Sequence, residues 1–388
     1  MPAIDSDHLS LKSSSDEVIG GLLQSESRWT SLQPWLQEHG YILCPRYRPG
    51  WTPSWIQAGK SRLDCEDGRR LLCSIMDATR AKDRMIVGLK KVEKSLYPHE
   101  SDIGKFLSTE PQASDPRNHC VPIYDVLQSP LDDNMQILIM PYLMEYKGVR
   151  FSTVGEAVEC IRQLFEGLVF MHEHCIAHRD INNTNIMMEP VPLFSEVPHP
   201  TSHHRSYDFA RRVKCATWTK RPTRYYFIDF GLSRRYSPDD PSPLELQLWG
   251  GDKTVPEFRR SEDPQNPFWT DIYYFGNFMR EDFLQSCKNF DFLELLVNDM
   301  VQDDPSKRPS AAKAFARFEN MRLSLSTWRL RSHVIYRDDS SFLGFFRACR
   351  HAVITLGYMM DGRPALPIPS SPSPSLGSPS IPSGRRPH

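Results

Sequence analysis

An α+β fold is predicted for this chain, with a small β-rich N-terminal lobe holding one main helix and a larger, mostly helical lobe after it. Three observations lead there. Runs of β-forming residues cluster between about 41 and 143, and apolar residues recur at helical intervals between about 151 and 330. Near the start of the helical part stand two short polar motifs, His178-Arg179-Asp180 with Asn185, and Asp229-Phe230-Gly231.

Residues 1–40 are read as an extension. A polar, Ser-rich lead gives way to Arg28-Trp29-Thr30-Ser31-Leu32-Gln33-Pro34-Trp35-Leu36, whose apolar spacing predicts a helix packed on the small lobe. In the lobe spanning 41–143, four runs read as strands: Tyr41-Ile42-Leu43, Leu71-Leu72-Cys73-Ser74-Ile75-Met76, Met85-Ile86-Val87-Gly88-Leu89 and Ile137-Leu138-Ile139-Met140. In the lobe spanning 144–330, the stretch from Val158 to Met171 places apolar side chains at i, i+3, i+4 and i+7, a helix that would aim the loop following it. The interval from Pro190 to Arg224 exceeds what a hairpin needs and is read as an insertion. Its His199, His203, His204 and Cys215 show no repeated ligand spacing, so they suggest a loop before a zinc site.

Residues 331–363 predict a helical extension, with Phe342, Leu343, Phe345, Phe346, Val353 and Leu356 expected to cover part of the larger lobe. From Pro364 to His388, Pro, Ser and Gly dominate, a composition that cannot bury a core, and a disordered tail is expected. Its Ser371-Pro372, Ser373-Pro374 and Ser378-Pro379 steps would suit a proline-directed kinase or an SH3- or WW-type domain, or serve as a plain spacer.

Charge singles out no partner. With 47 basic against 48 acidic residues the balance is -1, so neither nucleic acid nor a membrane surface is called for. The 9 cysteines form no CxxC pair, which argues against a zinc site or disulfide framework and fits a reducing compartment. No secretory leader is evident at the start, and no run approaches the roughly 18 apolar residues of a membrane span. An intracellular protein, cytoplasmic or nuclear, is the expectation.

Taken in order, Val87-Gly88-Leu89-Lys90, Glu100, HRD-x4-N, DFG, Val255-Pro256-Glu257, Asp271 and Arg308 resemble the eukaryotic protein kinase superfamily over about residues 41–320. The resemblance implies a two-lobed fold, ATP and Mg2+ as cofactors and a protein substrate. It implies Asp180 as the general base, and Asn185 and Asp229 as metal ligands. Lys90, held by Glu100, would reach the phosphates, and Met140-Pro141-Tyr142-Leu143 would be the hinge that meets adenine. Strand alternation puts Gly88 and Lys90 on one face and leaves Lys91 as a solvated lysine. Glu257 with Arg308, and Asp271 beneath the catalytic loop, would be structural supports. Arg179 could pair with a phosphorylated Ser233, Tyr236 or Ser237.

Five features depart from the family pattern. No G-x-G-x-x-G precedes Lys90, the region holding only Gly59 and Gly68, so fewer backbone contacts to phosphate are expected. Asn182 stands where Ser/Thr kinases carry a basic residue, and an amide donates a hydrogen bond but no charge. The interval from Lys90 to Glu100 is short and Gly104 replaces an apolar helix position, which puts that pairing in question. The insertion is the fourth departure, and the short interval from Asp271 to Arg308 the fifth, pointing to atypical substrate recognition. Arg48-Pro49-Gly50-Trp51-Thr52-Pro53-Ser54-Trp55 and Gly250-Gly251-Asp252-Lys253-Thr254 resemble kinase-like proteins of fungi, particularly basidiomycetes. Three readings follow: a protein Ser/Thr kinase, a pseudokinase acting as a binding scaffold, and a small-molecule phosphotransferase.

Overall fold

The computed structural model describes residues 18–19, 22–68, 74–240 and 242–369. The fold is mixed α/β, a curled antiparallel sheet towards the N-terminus followed by a helical part. The sheet is built from β1 (Tyr41–Leu43), β2 (Ile75–Arg80), β3 (Ile86–Glu93), β4 (Asp125–Gln128) and β5 (Met135–Pro141), in the order β1-β2-β3-β5-β4. Of the run predicted to start at Leu71, the strand takes only Ile75 and Met76, while Leu71 to Cys73 lie outside the described residues.

Register fixes what each face of this sheet does. Met76, Ala78, Val87, Leu89, Ile137 and Ile139 point to one side, where they pack with Trp29, Leu32 and Leu36 of helix α1 (Gln24–Glu38). The N-terminal helix is therefore the cover of the sheet, as its periodicity predicted. Lys91, expected to be merely solvated, lays its ammonium 4.8 Å from the centre of the Trp29 ring. The pairs Ile75 with Lys90, Asp77 with Gly88, Lys90 with Leu138 and Gly88 with Met140 put those residues on the other face. That face looks onto the helical part.

Between β1 and β2 the chain makes a knot of short turns. Arg46 is fully buried and forms a two-pronged ion pair with Glu26 of α1, at 2.7 and 2.9 Å. The Asp67 carboxylate accepts hydrogen bonds from Trp51 Nε1 at 2.7 Å and from the Ser54 amide at 3.0 Å. The Trp- and Pro-rich stretch around Gly50 thus folds on a buried carboxylate.

The helical part is organised around α3 (Val154–Glu173), and helix α2 (Glu100–Leu107) adds Ile103 and Leu107 to the same core. A capping box starts α3: Thr153 Oγ1 accepts from the Glu156 amide, and Glu156 Oε2 from the Thr153 amide. Ile161, Leu164, Phe165 and Leu168 then run through the centre of the core. Strands β6 (Met144–Glu145), β7 (Ile186–Met188) and β10 (Tyr225–Phe227) form a small sheet, and the insertion contributes a hairpin of β8 (Pro198–His199) and β9 (Ser202–Ser206). Helices α4 (Pro256–Arg260), α5 (Pro267–Met279), α6 (Glu294–Met300), α7 (Ala311–Ser324), α8 (Thr327–Arg331) and α9 (Ser341–Met360) complete the chain.

One expectation is reversed. The apolar residues of α9 were expected to cover the larger lobe, yet Phe342 is 72%, Val353 71% and Leu356 60% exposed. The helix turns Ile354 to the cavity beside the insertion and buries Tyr358 instead, and Tyr358 hydrogen-bonds Thr217 of the insertion. Among the described residues no helix is long and apolar enough to cross a membrane.

Candidate functional site

Lys90, Glu100 and Asp229, far apart in sequence, meet between the sheet and the helical part. Lys90 Nζ lies 2.5 Å from Glu100 Oε1 and 2.8 Å from Asp229 Oδ1. The short Lys90–Glu100 interval suffices because β3 ends at Glu93 and Glu100 is the first residue of α2. Gly104 has a local reason as well, since a Cβ there would stand 2.7 Å from Ile123 Cγ1. Burial alone would lower the Lys90 pKa, but Glu100 and Asp229 more than offset it and the ammonium stays charged. Desolvation works against the charge of Asp229, yet Lys90 and the Gly231 amide hold its carboxyl below the usual range. Asp229 adopts a left-handed backbone, φ 64°, which turns its side chain towards Lys90.

The loop after α3 is held from below. Asp271, fully buried in the first turns of α5, accepts from the His178 amide at 2.8 Å and the Arg179 amide at 2.7 Å. Arg179 also has a left-handed φ of 67°, and these two bonds over-determine it. The Asp180 carboxylate is fully engaged. Its Oδ1 accepts from Asn182 Nδ2 at 2.9 Å and from the Gly251 amide at 2.7 Å, and its Oδ2 accepts from Asn185 Nδ2 at 2.9 Å. Burial pushes the Asp180 carboxyl up, against the pull of these donors. The close approach at Oδ1 demands glycine: a Cβ on Gly250 would lie 2.4 Å from that atom, and one on Gly251 2.8 Å from Asn182 Nδ2.

A hard cation takes oxygen ligands. Asn185 Oδ1 and Asp229 Oδ2 accept no hydrogen bond from the described residues, so their chemistry fits Mg2+. The histidines of the insertion form no such centre; among the described residues no group of three His, Cys, Asp or Glu side chains could hold a metal.

Arg179 is already occupied. Its guanidinium donates to the Leu246 carbonyl at 3.1 Å and lies 4.0 Å from Glu245, which also pairs with Arg234 at 2.6 Å. Ser233 is buried and donates to the His178 carbonyl, and the Tyr236 hydroxyl is enclosed; only Ser237 of the three candidate phosphorylation sites is exposed. Further down, Arg308 grips Glu257 at 2.6 and 2.8 Å with both side chains buried.

Behind Lys90 a cavity of about 30 Å³ is lined by Glu100, Gly104, Ile123, Leu138, Met140, Asp229 and Phe230, and no residue of the insertion reaches it. Met140 lines it, and Pro141 ends β5 opposite Val87. Tyr142 and Leu143 follow, half-buried, and burial, with the nearby Asp77 adding to it, pushes the Tyr142 phenol up. Asp77 is buried on the cleft face opposite Gly88, and the Tyr207 hydroxyl of the insertion donates to it. Cys44, Tyr47 and Glu66 from the β1–β2 knot close around His199, Thr201 and Tyr207. The insertion and the knot thus meet at Asp77, on the sheet face that carries Gly88 and Lys90. Gly59 ends a short helix with φ 57°, and Gly68 packs on the Arg62 carbonyl.

Sequence reasoning identified Lys90, Glu100, Asp180, Asn182, Asn185 and Asp229, and the structure brings them into one cleft. It did not identify Asp77, Tyr207 or Glu245. Asp77 carried a signal, a lone carboxylate two residues from Ile75 in an apolar strand; Tyr207 carried none. Larger cavities lie elsewhere: about 550 Å³ between the insertion and α9, and about 470 Å³ beside Tyr146, Asp282 and Tyr336.

No protein-family profile matches the chain. A 58-residue stretch is 40% identical to the dual specificity protein kinase zak2 of Dictyostelium discoideum, covering 15% of this chain and 9% of that protein. A 46-residue stretch is 37% identical to mitogen-activated protein kinase kinase kinase 19 of mouse and of human, covering 11% of this chain and 4% of each relative. The chain thus aligns with less than a tenth of the length of these curated relatives, and the similarity, short as it is, runs to protein kinases.

Proposed function

We propose that the chain has a two-lobed protein kinase-like fold and transfers the γ-phosphoryl group of Mg2+-ATP to a protein Ser or Thr hydroxyl. The observation that carries this reading is the convergence of Lys90, Glu100 and Asp229 on one ammonium, beside a loop that presents Asp180 and Asn185. In this reading Asp180 accepts the hydroxyl proton as the oxygen attacks phosphorus. For that, the acceptor must displace the Gly251 amide from Asp180 Oδ1. Bound Mg2+ would neutralise phosphate charge, held by Asp229 and Asn185. Lys90 would hand Asp229 over to the metal and turn to the phosphates, with Glu100 keeping it in place. Asn182 holds Asp180 in its orientation.

The hydrogen bond from Tyr207 of the insertion to Asp77, opposite Gly88, favours a second reading, a pseudokinase whose insertion occupies the nucleotide site. Transfer of labelled γ-phosphate from Mg2+-ATP to the chain itself and to generic protein acceptors separates the two. Signal in the parent and none in Asp180→Asn supports the kinase. Absence of both transfer and nucleotide binding supports the scaffold, and transfer to small molecules alone would point to a small-molecule phosphotransferase.

A further inference from the structure

Helix α9 carries a pattern that its role as a cover does not explain. Its outward residues Phe342, Phe346, Cys349, Val353, Leu356 and Met360 recur at intervals of four and three, the a/d spacing of a coiled-coil seam. With Phe346, Val353 and Met360 at a, and Phe342, Cys349 and Leu356 at d, the flanking g positions hold Phe345 and Met359, also exposed. The opposite face is committed to the body of the protein: Tyr358 is buried against Thr217, and His351 packs on His333 with ring centres 4.9 Å apart. Orientation of the helix is therefore fixed, and its seam points to solvent.

We propose that α9 pairs in parallel with the α9 of a second copy of this chain. Area supports a macromolecular occupant. Seam and flanks expose on the order of 800 Å² at about 160 Å² per large apolar side chain, comparable to one partner's share of a standard interface and above the usual patch on a monomer. The strict seam suits another helix. Charge selects the parallel arrangement. Helix α9 has no acidic residue, and its one charge beside the seam, Arg350 at e, would face Arg350 of the other copy in an antiparallel pair. In the parallel pair it faces Phe345 at g, a cation–π partner. Because the helix is already folded on its own subunit, pairing costs no helix nucleation.

The test is the mass of the full chain in solution over a concentration series, for the parent, Leu356→Glu and Val353→Glu. A dimeric parent and monomeric variants are expected, the variants melting where the parent melts once diluted to monomer, since both residues are exposed. Mild oxidation should crosslink the parent through Cys349, and Cys349→Ser should abolish the crosslink. A parent that stays monomeric at every concentration overturns the proposal, as does a dimer that neither glutamate dissociates. A monomer that instead sediments with anionic lipid vesicles assigns the stripe to a membrane surface. Dissociation by glutamate without a Cys349 crosslink overturns the parallel register.

Discussion

Replacing Tyr207 by Phe should tighten nucleotide binding while making the protein less stable. The ring would still fill its place beneath β2, but the hydroxyl that donates to Asp77 would be gone. That hydroxyl is the side-chain donor recorded for the Asp77 carboxylate among the described residues, and Asp77 is 5% exposed. Burial pushes the Asp77 carboxyl up, so the bond is taken at the ordinary value of about 0.5–1.5 kcal/mol. In the proposed kinase-like reading Tyr207 stands on Asp77 opposite Gly88, nucleotide entry requires the insertion to withdraw, and the apparent affinity scales with the open fraction. Weakening closure by that amount raises the open fraction, and hence the affinity, roughly 2- to 12-fold as long as the closed form dominates. Titration calorimetry with ADP or ATP and Mg2+, beside thermal melts of the same samples, measures both signs. A lower melting temperature with unchanged or weaker nucleotide binding would refute the argument, because it would show that Tyr207 stabilises the fold without gating the cleft.

Four further outcomes are expected. Arg308→Ala leaves the buried Glu257 carboxylate unpaired and should cost about 3–5 kcal/mol, seen as a lower midpoint in urea unfolding, whereas replacing both partners by apolar residues should cost less. Glu245→Gln removes the acid shared by Arg179 and Arg234 and should speed limited proteolysis between residues 237 and 250, with the rest of the chain as resistant as before. Asp229→Ala should abolish the Mg2+ dependence of nucleotide binding, and an unaltered Mg2+ titration would remove Asp229 from the metal site. Finally, burial holds the Asp180 carboxyl above the ordinary aspartate range, so the folded state binds its proton more tightly than the unfolded chain does. Stability from this group is therefore full below the ordinary aspartate pKa and falls as pH rises towards the raised value. Transfer activity should rise over the same window, and Asp180→Asn should flatten the stability profile there.

Much of the small sheet was legible because four of its strands are runs of β-forming residues, and strand alternation puts Gly88 and Lys90 on one face; the edge strand Asp125–Gln128, half polar, gave no such run. The Glu100 pairing looked doubtful from chain length alone. Only the geometry shows that α2 begins at Glu100 itself, and that Gly104 makes room for Ile123. The polar cluster was readable since HRD-x4-N and DFG are local motifs, with Asp180 and Asn185 five positions apart. What closes the cleft was not readable: Tyr207 and Asp77 are 130 residues apart, and no periodicity links a loop tyrosine to a strand carboxylate. Helix α9 misled for a different reason. Apolar content announces a surface to be covered, but it does not say whether the cover comes from the same chain.

The distribution of empty space bears on how a chemical probe for this protein should be sought. Fragments would meet more room in the chambers of roughly 550 and 470 Å³ than in the space of about 30 Å³ behind Lys90. First hits would then report on the junction of the insertion with α9, whose residues reach from Phe194 to Tyr358. A compound wedged there would act on the insertion from behind, at the root of the segment whose tip carries Tyr207, and so could change nucleotide access without ever touching Lys90.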